Sequence, residues 1–572
     1  MAATKADRWA RYEWRYVVLI ALGLLVAYVA MAAGTDLWDR DEPRYARAAV
    51  EMWETGDWLV PSLNDEPRLR KPPMIYWMMA PFVGLMGPTE LAARMVSVLS
   101  MVGAALMTWL CGRRMFGPQV GIGAMAIFGT SMLAIYVGSA SIIDAALVFF
   151  TTLTIYAFID AIYRKQAWWH WPVMAVGLCS TVLLKGPLVW PIPVVTILVA
   201  GWLLRRELRL SARWWIGFVL LALFSFVPLI AWAIPVDRAT GGQLWAIGFE
   251  QHVVQRVTSG LEHGSGSTLE YVVQLPLYLP LIVIVFFPWI LYLQGAWSAM
   301  LGRRLGTGRD RAVLWAWILP WFVFLSLAST KLPHYLMPII PALAIASAAT
   351  IALHHRGEAH GRDRFWMTIG VWLALPVAIV GILGALAAPF VLAQPSLFLG
   401  EIPVVLVLVA ATAWVANHHL AGRYLTAAKG LVCLVPAIVI AMVFLVLPGV
   451  EDELKPSADL AAAFREQAEP TTPLFMRDYD EPSLFFYMDR PSGHPIVHLH
   501  RADVADWALG RGAFARTAPD EAGLLIIGDG ELAAIEARFG DLPVEKTFGK
   551  RILDYSSGTH HTEVMLVKRI GP

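Results

Sequence analysis

Residues 16–33 read YVVLIALGLLVAYVAMAA, and residues 34–47 continue as GTDLWDRDEPRYAR. The first stretch is apolar and close to the length of about 20 residues that a membrane-spanning helix needs. The second stretch holds four carboxylates and three arginines within fourteen residues. Dense charge directly after an apolar run predicts a first span that ends in a polar loop at the membrane surface. We expect this span to remain uncleaved, with the basic N-terminus inside.

The composition indicates a polytopic membrane protein. The chain has 572 residues, of which 58% are hydrophobic and 16% charged, with a mean hydropathy of +0.58. A soluble protein of this size needs more polar surface than that. The net charge of +1 provides no general attraction to nucleic acid. The three cysteines, Cys111, Cys179 and Cys433, lie in or beside apolar runs and are interpreted as core residues.

Thirteen apolar runs predict thirteen spans. They lie near residues 16–34, 90–111, 117–138, 142–162, 168–184, 187–204, 214–235, 271–296, 312–330, 333–353, 366–390, 402–419 and 425–448. The shorter run Pro72–Gly87 is interpreted as a helix along the interface, because the arginines of the later loops then share the inner side. Beyond the first loop, the cations left outside are Arg94, Lys185, Arg238, Arg256 and Lys331. Cations on that side need another reason, and a bound phosphate is one.

This topology predicts two long outer loops, about 35–89 and 236–270, within a membrane domain of residues 1–449. The segment 450–572 also falls outside. It alternates strand-length apolar runs with helix-like stretches, which predicts an α/β domain with a mainly parallel sheet.

Several charged residues of the outer side are candidates for chemistry. Asp41 opens a predicted helix over Pro43–Glu54, and Arg44 and Arg47 share one face of it. Lys71 precedes Pro72-Pro73, and Asp144 begins the fourth span. Helix capping and contacts with lipid headgroups explain the same residues without any catalysis.

Two further outer segments carry polar clusters. Residues 250–256 read EQHVVQR, in which Glu250 and His252 are too few to define a metal site. Residues 329–335 read STKLPHY, and they place Lys331, His334 and Tyr335 together at the end of a span. Such polar groups are costly there unless the loop lines a polar cavity.

These motifs resemble those of the GT-C glycosyltransferases. The resemblance rests on Asp41-Glu-Pro-Arg-Tyr45, Lys71-Pro-Pro73, the acid Asp144 and Ser329-Thr-Lys-Leu-Pro-His-Tyr335, and it extends over residues 16–450. The sequence is most similar to the aminoarabinose transferases (the ArnT family), relatives of the protein O-mannosyltransferases. The resemblance implies transfer of 4-amino-4-deoxy-L-arabinose from undecaprenyl phosphate-aminoarabinose to a lipid A phosphate, which lowers the binding of polymyxin. It also implies a monomer in the bacterial inner membrane, surrounded by membrane lipids, with the site and the C-terminal domain in the periplasm.

The resemblance also implies roles for individual residues. Asp41 and Asp144 are the expected catalytic acids, and Lys71, Arg256 and Lys331 are expected to bind the donor phosphate. Substrate contacts are expected from Glu42, Arg44, Tyr45, Arg47, His334 and Tyr335. The family implies no required cofactor, although a divalent metal at Glu250 and His252 stays open.

Two alternatives remain from the sequence. A different transferase of lipid-linked sugars, similar to a protein O-mannosyltransferase, would share the fold and differ in its acceptor. A lipid transporter would show internal repeats and charges at the middle of the membrane, whereas here the charges gather at one face.

Overall fold

The chain folds into a helical membrane domain followed by a smaller domain with one sheet. The computed structural model describes residues 5–38, 41–164, 166–208, 210–246, 268–328, 331–392, 397–479, 481–491, 493–515, 518, 521–554 and 560–570. Helices α1–α11 are Lys5–Ala33, Asp41–Thr55, Met74–Met86, Glu90–Phe116, Pro118–Gly129, Met132–Ser139, Ile143–Tyr163, His170–Lys185, Pro191–Leu203, Ala212–Phe224 and Val227–Ala239. Helices α12–α19 are Thr268–Gln274, Tyr278–Val285, Ile290–Leu301, Gly308–Leu327, Ile340–His355, Gly361–Val391, Leu397–Leu420 and Tyr424–Leu445. A 3-10 helix, Pro333–Ile339, leads directly into α16.

The predicted class, a polytopic helical protein, is confirmed, but the number of full-length spans is lower than thirteen. Within the described residues, nine helices are long and apolar enough to cross a membrane, and the bent pair α5 and α6 makes ten. The predicted spans 168–184 and 187–204 are shorter helices, α8 and α9. The predicted span 271–296 is broken between α13 and α14. Hydropathy averages over such breaks, so it overestimated the count of continuous helices.

Helix α8 nevertheless covers the same height as its neighbour α7. At one end His170 on α8 lies 3.1 Å from Asp160 on α7, and at the other end Lys185 lies 2.8 Å from Asp144. The two acids are sixteen residues apart on α7, which is about 24 Å of helix. We call these two levels of the bundle the Asp160 end and the Asp144 end.

Three of the arginines predicted to share the inner side lie at the Asp160 end. Arg114 pairs with Asp160 itself, and Arg113 lies 2.7 Å from Glu13 of α1. Arg309, in the first turn of α15, donates a hydrogen bond of 3.1 Å to the carbonyl of Ile162. Helix ends that are distant in sequence therefore meet at one level, as the charge pattern predicts.

The segment Pro72–Gly87 forms the short helix α3, as expected. Its 13 residues reach about 20 Å, less than the thickness of about 30 Å of a hydrocarbon core. The helix packs against α2, where the Trp53 ring lies so close to Gly84 that a Cβ there would come within 2.0 Å of it. Only glycine at this position allows the two helices to approach in this way.

The C-terminal domain is α/β, but its sheet is mixed. Strands β1 (Ser62–Leu63) and β2 (Glu66–Pro67) form a separate hairpin in the first loop. The domain contains β3 (Leu474–Arg477), β4 (Val497–His498), β5 (Leu524–Gly528), β6 (Val544–Asp554) and β7 (His560–Arg569). Its helices α20–α24 are Leu447–Leu454, Ser457–Gln467, Pro482–Met488, Arg501–Ala508 and Asp529–Phe539. A further 3-10 helix covers Gly512–Phe514.

The prediction of a mainly parallel sheet is wrong for half of this sheet. The strand order is β4-β3-β5-β7-β6, in which β3 pairs parallel with β4 and β5, whereas β5–β7 and β6–β7 are antiparallel. Strand β6 gave no sequence signal because it reads VEKTFGKRILD, with many charged residues. It is an edge strand, where charged side chains are common because they discourage pairing with other chains.

Candidate active site

Helix α2 carries Asp41 at its first position and is mostly enclosed. Ten of its fifteen residues are buried, whereas Asp41 itself is exposed. One side of the helix packs on α3 and another on helix α22 of the C-terminal domain. The helix predicted from sequence is therefore present, but it is held between two layers of protein.

The second acid, Asp144, forms an ion pair with a lysine. Lys185, at the last position of α8, places its ammonium 2.8 and 3.0 Å from the two carboxylate oxygens of Asp144. His334 lies 4.0 Å from the same carboxylate, and the Lys185 ammonium lies 4.8 Å from the centre of the Tyr335 ring. Three segments that are far apart in sequence thus meet at this end of the bundle.

Asp41 and Lys71 lie within electrostatic range of this group. Lys71 acts on both Asp144 and His334, and Asp41 acts on His334. Burial raises the pKa of the Tyr45 phenol well above its usual range, and the Asp41 carboxylate adds to that rise. We name this set the acid–lysine cluster, and it consists of Asp41, Tyr45, Lys71, Asp144, Lys185, His334 and Tyr335. All but Lys185 were site candidates from sequence.

Glu42, the neighbour of Asp41, is buried and fully engaged. Its carboxylate accepts hydrogen bonds from the Arg94 guanidinium at 2.6 and 3.2 Å and from the backbone N–H of Trp38 at 2.9 Å. It also accepts one from the backbone N–H of Ser141, three residues before Asp144. These contacts join the start of α2 to the segment before α7, and the predicted substrate contact of Glu42 stays a prediction.

Arg94 is one of the predicted outer cations, and its protein partners explain its position without a bound phosphate. Besides Glu42, its guanidinium donates to the carbonyl oxygens of Ala32, Thr35 and Asp36 at 3.0, 2.6 and 2.8 Å. The side chain is 1% exposed. A buried cation with this many partners fixes the backbone between α1 and α2.

Arg47 is also engaged by protein. It donates to Glu51 at 2.9 Å, to the Asp489 carboxylate at 2.8 Å and to the carbonyl of Arg490 at 2.6 Å. The predicted substrate contact of Arg47 stays a prediction. Spacing correctly placed Arg47 on a face of α2, but a local pattern cannot reveal that another domain covers this face. Arg44, on the same helix, is partly buried.

Lys331 caps a helix instead of joining the ion pairs. Its ammonium donates to the carbonyl oxygens of Leu325, Ser326 and Ala328, at the end of α15, and lies 5.7 Å from the Tyr278 ring centre. Burial lowers the pKa of this lysine. A cation satisfies the free carbonyl groups of a helix C-terminus, which accounts for Lys331 on the outer side.

Three predicted residues, Glu250, His252 and Arg256, lie outside the described residues. Within the part of the chain that the structure describes, no group of three or more His, Cys, Asp or Glu side chains could hold a metal ion. The metal and donor-phosphate predictions for these three residues therefore stay predictions.

Sequence reasoning missed two contributors to this region. Lys185 was noted only as a cation on the outer side, and that position was the available signal. Arg68 donates to the Tyr76 hydroxyl at 2.9 Å and lies 5.5 Å from the Tyr45 ring centre. Together with Lys71, it makes the segment before α3 positively charged, and Arg68 lies within electrostatic range of the exposed Asp41.

The arrangement suits a reaction in which a phosphate leaves or attacks. Cations at Lys71 and Arg68 can offset the charge of a phosphate group, and two carboxylates face the same region. If the acceptor is itself an anion, the reaction needs no general base to remove a proton from the nucleophile.

Comparisons with known proteins show similarity to transferases of lipid-linked sugars. Residues 70–232 match the family model of dolichyl-phosphate-mannose-protein mannosyltransferases. A similar relative is the undecaprenyl phosphate-alpha-4-amino-4-deoxy-L-arabinose arabinosyl transferase of Pectobacterium carotovorum, 28% identical over 64% of this chain and 65% of that protein. The corresponding transferase of Pectobacterium atrosepticum is 27% identical over 75% of this chain and 71% of that protein. The first match thus spans slightly less than two thirds of its relative.

Solved structures show the fold. The crystal structure of ArnT from Cupriavidus metallidurans bound to undecaprenyl phosphate has a TM-score of 0.71 and 19% identity, over 96% of this chain and 98% of that one. The same protein in the apo state gives a TM-score of 0.71 over 97% and 98%. The chain therefore has the fold of an ArnT-like GT-C glycosyltransferase along almost its whole length, including the C-terminal sheet.

Proposed function

We propose that this protein transfers 4-amino-4-deoxy-L-arabinose from undecaprenyl phosphate-aminoarabinose to a phosphate of lipid A. The observation that carries the proposal is the acid–lysine cluster, in which Lys71 lies within electrostatic range of the paired Asp144 and of His334, and the exposed Asp41 lies within range of His334. The similarity to transferases named for this donor supports the choice of sugar and carrier. The solved relative bound to undecaprenyl phosphate supports the choice of lipid carrier.

The proposed reaction is a displacement at the anomeric carbon of the sugar. An oxygen of the acceptor phosphate bonds to this carbon while its bond to the oxygen of undecaprenyl phosphate breaks, and the electron pair leaves with that phosphate. Lys71 stabilises the charge that develops on the leaving phosphate, with Arg68 beside it. The acceptor is already ionised, so Asp41 serves to orient the sugar or to pair with its ammonium group.

Asp144 has a supporting place in this mechanism. Both of its carboxylate oxygens accept hydrogen bonds from the Lys185 ammonium, so Asp144 is present in the cluster as an ion pair and its negative charge is compensated. We infer that the pair fixes the start of α7 and the adjacent His334 and Tyr335 around the substrate. Lys331 acts indirectly, because it stabilises the end of α15 just before the segment that carries His334.

The cellular setting follows from the same proposal. The protein is placed in the bacterial inner membrane as a monomer, with the Asp144 end and the C-terminal domain in the periplasm. The concentration of Arg113, Arg114 and Arg309 at the Asp160 end supports a cytoplasmic position for that end.

The deciding experiment is mass spectrometry of lipid A from deletion cells that carry the wild-type chain, the Asp41→Asn variant or an empty vector. We expect the mass of one or more aminoarabinose groups only with the wild-type chain. Unmodified lipid A in all three strains, at equal levels of membrane protein, would contradict the proposal.

A second candidate is favoured by the match to the mannosyltransferase model over residues 70–232. In that case a hydroxyl group would be the acceptor, and Asp41 would act as the general base that removes its proton. Glycosylated envelope proteins that disappear with the gene, together with unmodified lipid A, would select this candidate.

A further inference from the structure

The segment Phe486–Arg490 of the C-terminal domain contacts the chain on both sides of Asp41. It covers the end of helix α22 and the residues that follow it. One contact lies before Asp41 in sequence, at Leu37, and another lies after it, at Arg47. Both contacts join residues more than 400 positions apart, so they are specific to the folded chain.

Tyr487 provides the first contact. Its hydroxyl oxygen accepts a hydrogen bond of 2.9 Å from the backbone N–H of Leu37, whose side chain is fully buried. Burial raises the pKa of the phenol above its usual range, and the negative charges of Asp36 and Glu90 add to that rise, so the group keeps its proton. This hydroxyl group thus links the C-terminal domain to the segment before α2.

Asp489 and Arg490 provide the second contact. The carboxylate of Asp489 and the carbonyl of Arg490 accept hydrogen bonds of 2.8 and 2.6 Å from Arg47, which is 4% exposed. Asp489 adopts a left-handed backbone with φ of 46°, which Asp and Asn tolerate better than most residues. This conformation directs the chain away from α22 at the point where its side chain meets Arg47.

Phe486 provides an apolar contact between these two polar ones. It is 2% exposed and belongs to the same buried cluster as Tyr45 and Val50 of α2 and Tyr76 of α3. The core under the Asp41 helix is therefore completed by a residue of the other domain. Without it, α2 would lose part of the apolar surface that holds it in place.

We propose that Phe486–Arg490 is a positioning element of the active site, through which the C-terminal domain holds the start of α2 and thus Asp41 in working geometry. The inference rests on the proposed function for its activity readout only. Arg47, expected from sequence to bind a phosphate, is in this proposal a positioning residue. None of the residues of this element needs to contact the substrate.

The test uses the full-length protein in lipid nanodiscs, with the variants Asp489→Asn, Tyr487→Phe and Arg47→Met. Asparagine suits the left-handed backbone and removes only the charge. We expect kcat for aminoarabinose transfer to fall about tenfold or more, since small displacements of catalytic groups have effects of this size. The KM for the lipid-linked donor should stay unchanged, and Asp489→Glu should restore part of the rate.

The control is Glu54→Gln. Glu54 is exposed and lies 3.9 Å from Arg47, but it belongs to α2 itself, so its removal leaves the domain contact intact. Its kcat should equal that of the wild type. The double variant Arg47→Met with Asp489→Asn should be no slower than the slower single variant, because both remove the same contact.

A second readout does not depend on the reaction. Amide hydrogen exchange over residues 41–55 should be faster in Asp489→Asn and Tyr487→Phe than in the wild type or Glu54→Gln. The exchange rates test the positioning role of the element even if the wild type transfers another sugar, because they do not depend on the reaction. Unchanged exchange would overturn the proposal, as would faster exchange with wild-type kcat. An increased donor KM at unchanged kcat would also overturn it, in favour of direct substrate binding by Arg47.

Discussion

The ammonium of Lys185 lies 2.8 and 3.0 Å from the two carboxylate oxygens of Asp144. The pair joins the last residue of α8 to the first turn of α7, and both side chains are largely buried, with 14% and 7% exposed. Burial makes each charge dependent on the other, because neither can be fully hydrated. The pair therefore fixes the two helix ends beside His334 and Tyr335.

We expect Asp144→Asn and Lys185→Met each to destabilise the protein and to reduce transfer. Removing one partner of a buried ion pair typically costs about 3–5 kcal/mol, since the remaining charge is left without compensation. The double variant should recover part of the lost stability. Thermal unfolding of the three variants in the same detergent measures this coupling, and strictly additive losses would show that the two residues act independently.

Asp41→Asn should abolish transfer while the protein remains folded. Asp41 is exposed at the start of α2, so the neutral amide fits the same space and removes only the charge. The measurement is the aminoarabinose content of lipid A together with the unfolding temperature. Glu66→Gln is the matched control, because Glu66 is an exposed carboxylate of the same loop. A near-normal content of aminoarabinose in the Asp41 variant would remove it from the reaction.

Lys71→Ala should weaken the use of the lipid-linked donor. Its ammonium acts on Asp144 and His334, which places a positive charge next to the proposed leaving phosphate. We expect a higher KM for the donor in a steady-state assay with purified protein. Arg70→Ala removes an exposed cation from the adjacent position and should leave this KM unchanged. Equal KM values for wild type and Lys71→Ala would exclude the residue from the phosphate site.

The C-terminal domain should lose stability in acid through Glu531. Hydrogen bonds and charge from Arg501 and Arg477 lower the pKa of this carboxyl group to about 2. The folded pKa lies below the ordinary value of 4.5, so the stabilisation is complete above pH 4.5 and disappears as the pH falls towards 2.

Hydrogen exchange of strand β5 in the full chain, compared at each pH between Glu531→Gln and wild type, tests this prediction. The variant should exchange faster than the wild type at pH 5, and the two should converge near pH 2. A difference that stays constant over this range would show that the ionisation of Glu531 does not contribute.

Chelation of divalent metals should leave transfer unchanged. Two candidate ligands, Glu250 and His252, are too few for a site by themselves. We expect equal rates with and without EDTA, and the same rate for His252→Ala. A loss of rate with EDTA that Zn²⁺ or Mg²⁺ restores would contradict this expectation.

Part of the site could be found from sequence because its residues break a strong local rule. Acids and lysines are rare next to apolar runs, so Asp41, Lys71 and Asp144 stood out once the spans were placed. The same reasoning noted Lys185 and Lys331 on the outer side but could not predict the partner of either lysine. Lys185 pairs with Asp144, whereas Lys331 caps a helix. These roles depend on which atoms are close in the folded chain, and a local stretch of sequence does not show that.

The sequence by itself determined that the chain is a bundle of membrane helices with its unusual charges at one end. It does so because an apolar run of sufficient length has only one favourable environment, and the length of the run is a local property. The tertiary structure alone decided what Glu42 and Arg47 do. Glu42 is bound by Arg94, and Arg47 by Asp489, which is 442 residues away. A hydrogen bond depends on distance in space, and folding sets that distance independently of separation along the chain.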